Sequence, residues 1–387
     1  MSLKLVLSRV LLGALVSFAP SLLRAAASAP PSSALVPLHE SSVVWERDTQ
    51  GYTIFKVPTL VTDRDRKVLL AIAEGRVDSM ADDAVIHLVL RRSTDAGKTW
   101  SPMSVIHQSG KQTVGNPTPV VDRQTGIIWL FFCVDNKEVW LTSSADAGLT
   151  WAPPTNLTST LKRPEQTKFY ATGPGHGIQL ERGPKRGRLL ITAYASQSAV
   201  PPNTSGSKSF AIYSDDHGKT WQAGQVTQEN EVGGPDGNEC MAAELNDGRL
   251  YLTIRNNLTQ GGRAYAISDT AGANWSPVRI EAGLPEPVCE ASLIAHRVGE
   301  ARATHFYTAP SVSAKGRKDK SARRDVSIWR STDDCVTWKK EALLWSGPSA
   351  YSDMAVLADG TLCVILEAGR TRYDDKVVVS AFRVTAP

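Results

Sequence analysis

Several polar residues stand outside the regular patterning that organises this 387-residue chain: Asp82-Asp83, Glu239, Tyr351 and Glu367, with the cations Lys56, Arg76, Arg255 and Arg323-Arg324. These are the residue types from which proton donors, bases, nucleophiles and anion-binding sites are made. Adjacent carboxylates such as Asp82 and Asp83 repel each other, and a pKa raised in this way suits a proton donor. A phenol such as that of Tyr351 has an ordinary pKa near 10 and attacks only with a base beside it. Each residue also has a plain structural reading. Paired acidic residues or paired arginines in loops are commonly just solvated, and a tyrosine in a β-protein is commonly half-buried packing. Their order and surroundings must decide.

The elements that would position them follow from a repeat. Ser93-Thr94-Asp95-Ala96-Gly97-Lys98-Thr99-Trp100 recurs at Ser144–Trp151 and Ser214–Trp221. Worn copies occupy Ser268–Trp275, with Thr270 in the aspartate position, and Ser331–Trp338, with Cys335 in the glycine position. The pattern S-x-D-x-G-x-T-W reads as a hairpin turn. Asp accepts hydrogen bonds from turn amides, Gly supplies a positive φ, and Trp plugs the turn from beneath. Five of the ten tryptophans are used in this way, so the tryptophan richness is structural. Strand-like segments flank the turns at Ile86–Leu90, Ile127–Phe132, Phe210–Tyr213, Leu250–Ile254 and Val326–Trp329, and no long amphipathic helix is evident. The aspartate position recurs about every 60 residues, a blade-like spacing that leaves room for six units. The expected fold is therefore all-β, a six-bladed propeller, in preference to two stacked sandwiches. Residues before about 60 are expected to supply a strand that closes the last blade. The turn boxes lie at blade edges, so chemistry belongs to loops at the other mouth.

Along the chain, the non-box segments resemble in order those of the Asp-box exo-sialidase (neuraminidase) family, over roughly Tyr52 to Gly369. The resemblance implies retaining hydrolysis of terminal sialic acid with a tyrosine nucleophile, a known exception among glycosidases. The physical reason is charge: the anomeric carbon carries a carboxylate, which repels an anionic nucleophile but not a neutral phenol. Gly347-Pro348-Ser349-Ala350-Tyr351-Ser352-Asp353 is similar to the family's G-x-x-x-Y-S-D segment, making Tyr351 the nucleophile. Asn238-Glu239-Cys240 followed by Arg255-Asn256-Asn257 resembles the family's Glu then Arg-Asn order, making Glu239 the base. Glu244, on the same segment, reads as a strand-edge surface residue. Asp82 stands eleven residues before the first box, where the family carries its general acid; Asp83 is the alternative. Arg255 and Arg324 match the second and third members of a carboxylate-binding arginine triad, with Arg323 the neighbouring alternative. Glu367 resembles the glutamate that orients the first triad cation, and Arg76 matches an arginine beside the acid loop, although a surface role fits it nearly as well. Asn116-Pro117-Thr118-Pro119-Val120 and Gly173-Pro174-Gly175-His176-Gly177-Ile178 resemble pocket-shaping loops.

Lys56 departs from the family. Phe55-Lys56-Val57-Pro58 places lysine where the first triad arginine is expected, which keeps the charge but loses the planar fork. Two alternatives follow: a glycosidase for another 2-keto-3-deoxy sugar acid, or a weakened propeller lectin that binds sialic acids. Either would have sialylated or related acidic glycans as its partner. The implied chemistry calls for no metal or cofactor.

Composition narrows the field further. Hydrophobic residues at 42% and charged residues at 21% exclude a largely disordered chain. A net charge of +4 and the absence of a long basic arm give no support for nucleic-acid binding; the densest basic run is Lys315–Arg324. The five cysteines form no C-x-x-C pair, and their odd number leaves at least one free thiol. Residues 1–27 read as a signal peptide, with Lys4 and Arg9 before an apolar run and small residues at the cleavage site. Residues 28–387 are then the propeller domain, expected to be secreted, periplasmic or luminal without stable membrane insertion.

Overall fold

The computed structural model describes residues 35–196, 206–228, 235, 237–258, 262–299 and 301–385. The leader expected at 1–27 lies outside them. Six antiparallel sheets follow one another along the chain, each running from the central axis outward. Blade 1 comprises Ile54–Thr62, Leu69–Arg76, Ile86–Ser93 and Ser104–His107. Blades 2 to 5 repeat this four-step path, beginning on the inside at Val114–Val121, Phe169–Thr172, Cys240–Glu244 and Ser292–His296. Blade 6 has Ser349–Val356, Leu362–Ala368 and Lys376–Val384, and the N-terminal segments Leu35–Pro37 and Ser42–Glu46 complete it along Lys376–Val384. The expected closing strand is therefore present, and it explains why six blades carry only five boxes. Each box joins a third strand to a fourth, and in blade 6 those two strands come from opposite ends of the chain.

The inner strands are nearly all apolar because both their faces are covered: Ile54–Thr62 and Leu69–Arg76 are buried throughout. Six apolar seams result, one at each blade junction. That between blades 6 and 1 packs Leu69 and Val89 against Ile365 and Val379, and that between blades 2 and 3 packs Phe131 against Ile191 and Phe210. The other junctions are filled in the same way. A seam at every junction closes the ring.

The boxes fold as their residue types dictate. In the first, the Ser93 hydroxyl donates to Asp95 (2.8 Å) and accepts from the Gly97 amide (2.9 Å), while Asp95 accepts from the Thr99 amide (2.9 Å) and hydroxyl (2.6 Å). Thr270 substitutes in the fourth box by accepting from the Asn274 amide at 2.8 Å. Cys335 adopts the glycine-like φ of 64° in the fifth. At Gly218, φ is +86° and a Cβ would lie 2.2 Å from Trp129 of the neighbouring blade, so glycine is required twice over. Helix is limited, among the described residues, to Thr158–Leu161 and a 3-10 turn at Lys320–Ala322. No helix among them is long and apolar enough to cross a membrane. All five cysteines are buried free thiols, and burial pushes four of them, Cys133, Cys240, Cys289 and Cys363, up to about 12.

Candidate active site

First strands begin, and second strands end, at the mouth opposite the boxes. Lys56, Tyr351 and Glu239 stand at or just before the starts of the first strands of blades 1, 6 and 4. Arg76, Tyr194 and Arg255 stand at or just after the ends of second strands. Asp82, Arg323 and Tyr373 come from the loops between second and third strands of blades 1, 5 and 6. Together they line a cavity of about 350 Å³, within the range of small-molecule sites. Irregularities in the inner strands aim these side chains. The pairing of blade 1 shifts between Lys56 and Thr59 with Val57 at φ 50°, and that of blade 6 shifts between Ser349 and Ser352.

At the floor, the Tyr351 hydroxyl donates to Glu239 Oε1 in a short hydrogen bond. Glu239 and Arg255 are cross-strand neighbours, the Arg255 amide donating to the Glu239 carbonyl at 2.8 Å. Arg255 Nη1 reaches Glu239 Oε2 at 2.7 Å and the Tyr351 oxygen at 3.3 Å. Burial pushes the Tyr351 phenol well above its ordinary value, and the Glu239 charge pushes it further, against the opposing pull of Arg255 and Arg323. Tyr351 is thus a neutral phenol around neutral pH. Burial alone would raise Glu239, but Arg255 and the Tyr351 hydrogen bond outweigh it and hold the carboxyl below its usual range. A neutral phenol bonded to an ionised carboxylate is the arrangement a phenolic nucleophile needs.

At the rim, Asp82 is 88% exposed and accepts from Arg76 Nη1 at 2.9 Å. Arg76 is buried, which excludes the surface role. Glu74 Oε2 grips its Nε and Nη2 at 3.1 and 2.7 Å, while Glu74 Oε1 accepts from the Asn116 amide at 2.8 Å. Asn116 therefore serves the site at one remove, by steadying Glu74. The proximity of Asp83 was expected to raise Asp82. Instead, the desolvating walls of the cleft around this otherwise exposed carboxylate push it upward, but the Arg76 guanidinium prevails and lowers it. Asp83 does not line the cavity.

Other sequence expectations need correction in position. Arg324 does not reach the cleft: its Nε donates to Asp325 at 2.9 Å and its side chain is 54% exposed. Arg323 is the one inside, buried, with its guanidinium 5.4 Å from the ring centres of both Tyr351 and Tyr373 and Nη2 donating to the Val288 carbonyl at 3.0 Å. Strand alternation gave no guidance here because Asp325 has φ 58° and breaks the phase. Glu244 is not a surface residue. It is buried and braces the Glu181 and Arg182 amides at 3.0 and 2.9 Å, far from the cleft. Glu367 lies behind the cleft wall, where it accepts from the Val57 amide at 3.0 Å, so it fixes the backbone beside Lys56. The Lys56 ammonium lies 5.0 Å above the Tyr373 ring. His176 faces away from the cleft and bonds Asp353 at 2.7 Å. Asp353 also accepts from Thr59 and Ser292, so it ties inner strands together beneath Tyr351. A larger cavity of about 910 Å³ lies at the other end of the inner strands; of the residues singled out from sequence it holds only His176, Gly177, Ile178 and Glu244. Tyr373 and Tyr194 went unrecognised. The signal for Tyr373 was topological: its loop is the blade 6 equivalent of the loops bearing Asp82 and Arg323.

Fold and cleft define the class: a six-bladed Asp-box propeller with a tyrosine–carboxylate pair set in a cationic pocket. Residues 63–364 match the BNR repeat-like domain family. The chain is 30% identical to a sialidase of Micromonospora viridifaciens over 89% of its own length, spanning 55% of that protein. It is 30% identical to Sialidase-2 of Mus musculus, covering 80% of this chain and 86% of the relative. The solved Hadza microbial sialidase Hz136 superposes with a TM-score of 0.73 at 26% identity, over 88% of this chain and 68% of that one. The chain belongs to the BNR-repeat sialidase family.

Proposed function

We propose that the protein is an exo-sialidase, a glycoside hydrolase that removes terminal sialic acid from glycoconjugates with retention of configuration. The observation that carries this reading is the buried Tyr351–Glu239–Arg255 relay on the floor of the cleft. Arg255, Arg323 and Lys56 hold the sugar carboxylate; the two guanidiniums supply forked donors and Lys56 a point charge. Tyr351 attacks the anomeric carbon as Glu239 takes the phenolic proton. Asp82 protonates the departing glycosidic oxygen. Asp82, now a carboxylate, takes a proton from water, which cleaves the tyrosyl–sugar bond; Glu239 returns the proton to Tyr351. Turnover of a fluorogenic sialoside, with the first product followed by NMR, tests the reading: the α-anomer must appear before mutarotation.

The apolar leader supports export, and acidic glycans are the partners. Lysine at position 56 supports one second reading, a preference for another 2-keto-3-deoxy sugar acid. Comparing kcat/KM on sialosides and on other ulosonic acid glycosides separates the two.

Arg323→Ala is expected to lower kcat/KM by about 10- to 100-fold, the value of a charge-assisted hydrogen bond or two, while Arg324→Ala changes it by less than about twofold. The opposite order in a kinetic comparison would return Arg324 to the cleft. For Asp82, the acid form is the active one, and Arg76 depresses the carboxyl in the free protein. Its protonated fraction therefore falls early as pH rises, pulling down kcat/KM. Bound glycan covers the exposed carboxyl and adds a negative charge nearby, both raising its pKa. The alkaline limb of kcat is thus expected at higher pH than that of kcat/KM. Asp82→Asn should remove this limb and slow poor leaving groups much more than activated aryl ones; if Asp83→Asn does so instead, the acid is Asp83.

A further inference from the structure

The cleft carries more positive charge than one sugar carboxylate needs. Its lining holds six cations, Lys56, Arg76, Arg255, Arg317, Lys320 and Arg323, against two carboxylates, Asp82 and Glu239. Arg76 is spent on Asp82 and Glu74, and Arg255 on Glu239. Lys56 and Arg323 remain with Arg255 around the Tyr351 floor. Arg317 and Lys320 are then left over on the rim. Neither side chain makes a hydrogen bond or ion pair among the described residues, and both are exposed.

Lys320 lies close enough to Asp82 for its charge to help hold that carboxyl ionised. Asp82 is the group that meets the leaving oxygen, so a cation beside it stands on the leaving-group side. Partial burial pulls the Lys320 ammonium down to about 8, with Arg323, Arg255 and Lys56 adding repulsion. The segment is firmly placed. Asp319 accepts from the Lys315 and Ser321 amides at 2.9 and 3.1 Å, the Ala314 amide donates to the Glu286 carbonyl at 2.8 Å, and Ala322 packs on Ala314 and Val288. The basic run Lys315–Arg324 is thus not a solvated arm: it delivers Arg323 to the floor and two further cations to the rim.

We infer that Arg317 and Lys320 form a second anion-binding subsite at the cleft rim that selects sialosides whose leaving group is itself acidic, either a second sialyl residue or a sulfated sugar. The inference rests on the sialidase reading above. A single carboxylate offers about four lone-pair sites, which Arg255, Arg323 and Lys56 together occupy, so the rim cations answer to a different anion. Because they are exposed, each contributes modestly, about two- to fivefold.

The test compares three substrates with the full chain: 3′-sialyllactose, its α2,8-disialyl homologue and a 6-sulfated 3′-sialyl-N-acetyllactosamine. The quantity read is the ratio of kcat/KM on each acidic leaving group to that on the neutral one. This ratio is expected to exceed one in the wild type for at least one acidic substrate, which identifies the source of the anion. It should shrink with added salt and fall about tenfold in Lys320→Gln/Arg317→Gln. A ratio that does not change in the double variant overturns the inference, whether activity falls equally on all substrates, which assigns the two cations to the sialyl carboxylate, or on none. Absence of wild-type turnover on all three, with the protein folded, overturns the sialidase reading itself and this inference with it.

Discussion

Replacing Tyr351 with phenylalanine is expected to lower kcat by at least about 10³-fold, the scale on which removing a member of a catalytic unit acts. Only the attacking oxygen is lost. The ring keeps its place between the Arg323 guanidinium and the blade 6 inner strand. Asp353 beneath it keeps its bonds to Thr59, Leu60, His176 and Ser292. Substrate affinity should therefore survive the substitution, since Arg255, Arg323 and Lys56 are untouched. Calorimetric binding of a sialic acid analogue beside steady-state kinetics checks both halves. A folded Tyr351→Phe protein that still turns over at near the wild-type rate removes tyrosine from the chemistry.

Glu239→Gln is expected to cost about 10²- to 10⁴-fold in kcat at neutral pH, the range for losing a general base, and its pH dependence is the more telling result. Glu239 raises the Tyr351 pKa through its negative charge, whereas Arg255 and Arg323 lower it. Removing the carboxylate takes away the largest raising charge while Arg255 and Arg323 still oppose burial, so the phenol's pKa falls. More phenolate forms as pH rises, and the variant should recover activity toward alkaline pH. An activated aryl sialoside isolates this effect, because its leaving group hardly needs Asp82. A residual rate that does not rise with pH would show that Glu239 is not the base for Tyr351. Arg255 loses its partner as well, so a higher KM should accompany the loss.

Much of this was legible in the residues. The box turns announced the blades because they rest on local chemistry: an aspartate over turn amides and a glycine at positive φ. Tyr351, Glu239 and Asp82 were legible from their order along the chain, and the structure brings all three to one cavity. What escaped depended on backbone irregularity. Arg324 was favoured over Arg323 because nothing local reveals that Asp325 turns left-handed and reverses the facing of the residues before it. Asp82 was expected to be raised by its neighbour Asp83, whereas the deciding charge, Arg76, reaches it across a loop and is itself held by Glu74. Glu367 was expected to orient the first cation; it does interact with the Lys56 charge, but its hydrogen bond goes to the Val57 amide at a register shift that the sequence does not display.

The central claim is that the Tyr351 oxygen forms a bond to the anomeric carbon. A sialic acid bearing fluorine at C2 and C3 tests it most directly. Fluoride at C2 leaves readily, while fluorine at C3 withdraws electrons and slows the breakdown of any covalent intermediate. Incubation followed by proteolysis and tandem mass spectrometry should place one fluorosialyl adduct on the peptide containing Tyr351, at the tyrosine oxygen, and none in Tyr351→Phe. An adduct on Glu239 or Asp82, or time-dependent inactivation that persists in Tyr351→Phe, would contradict the account.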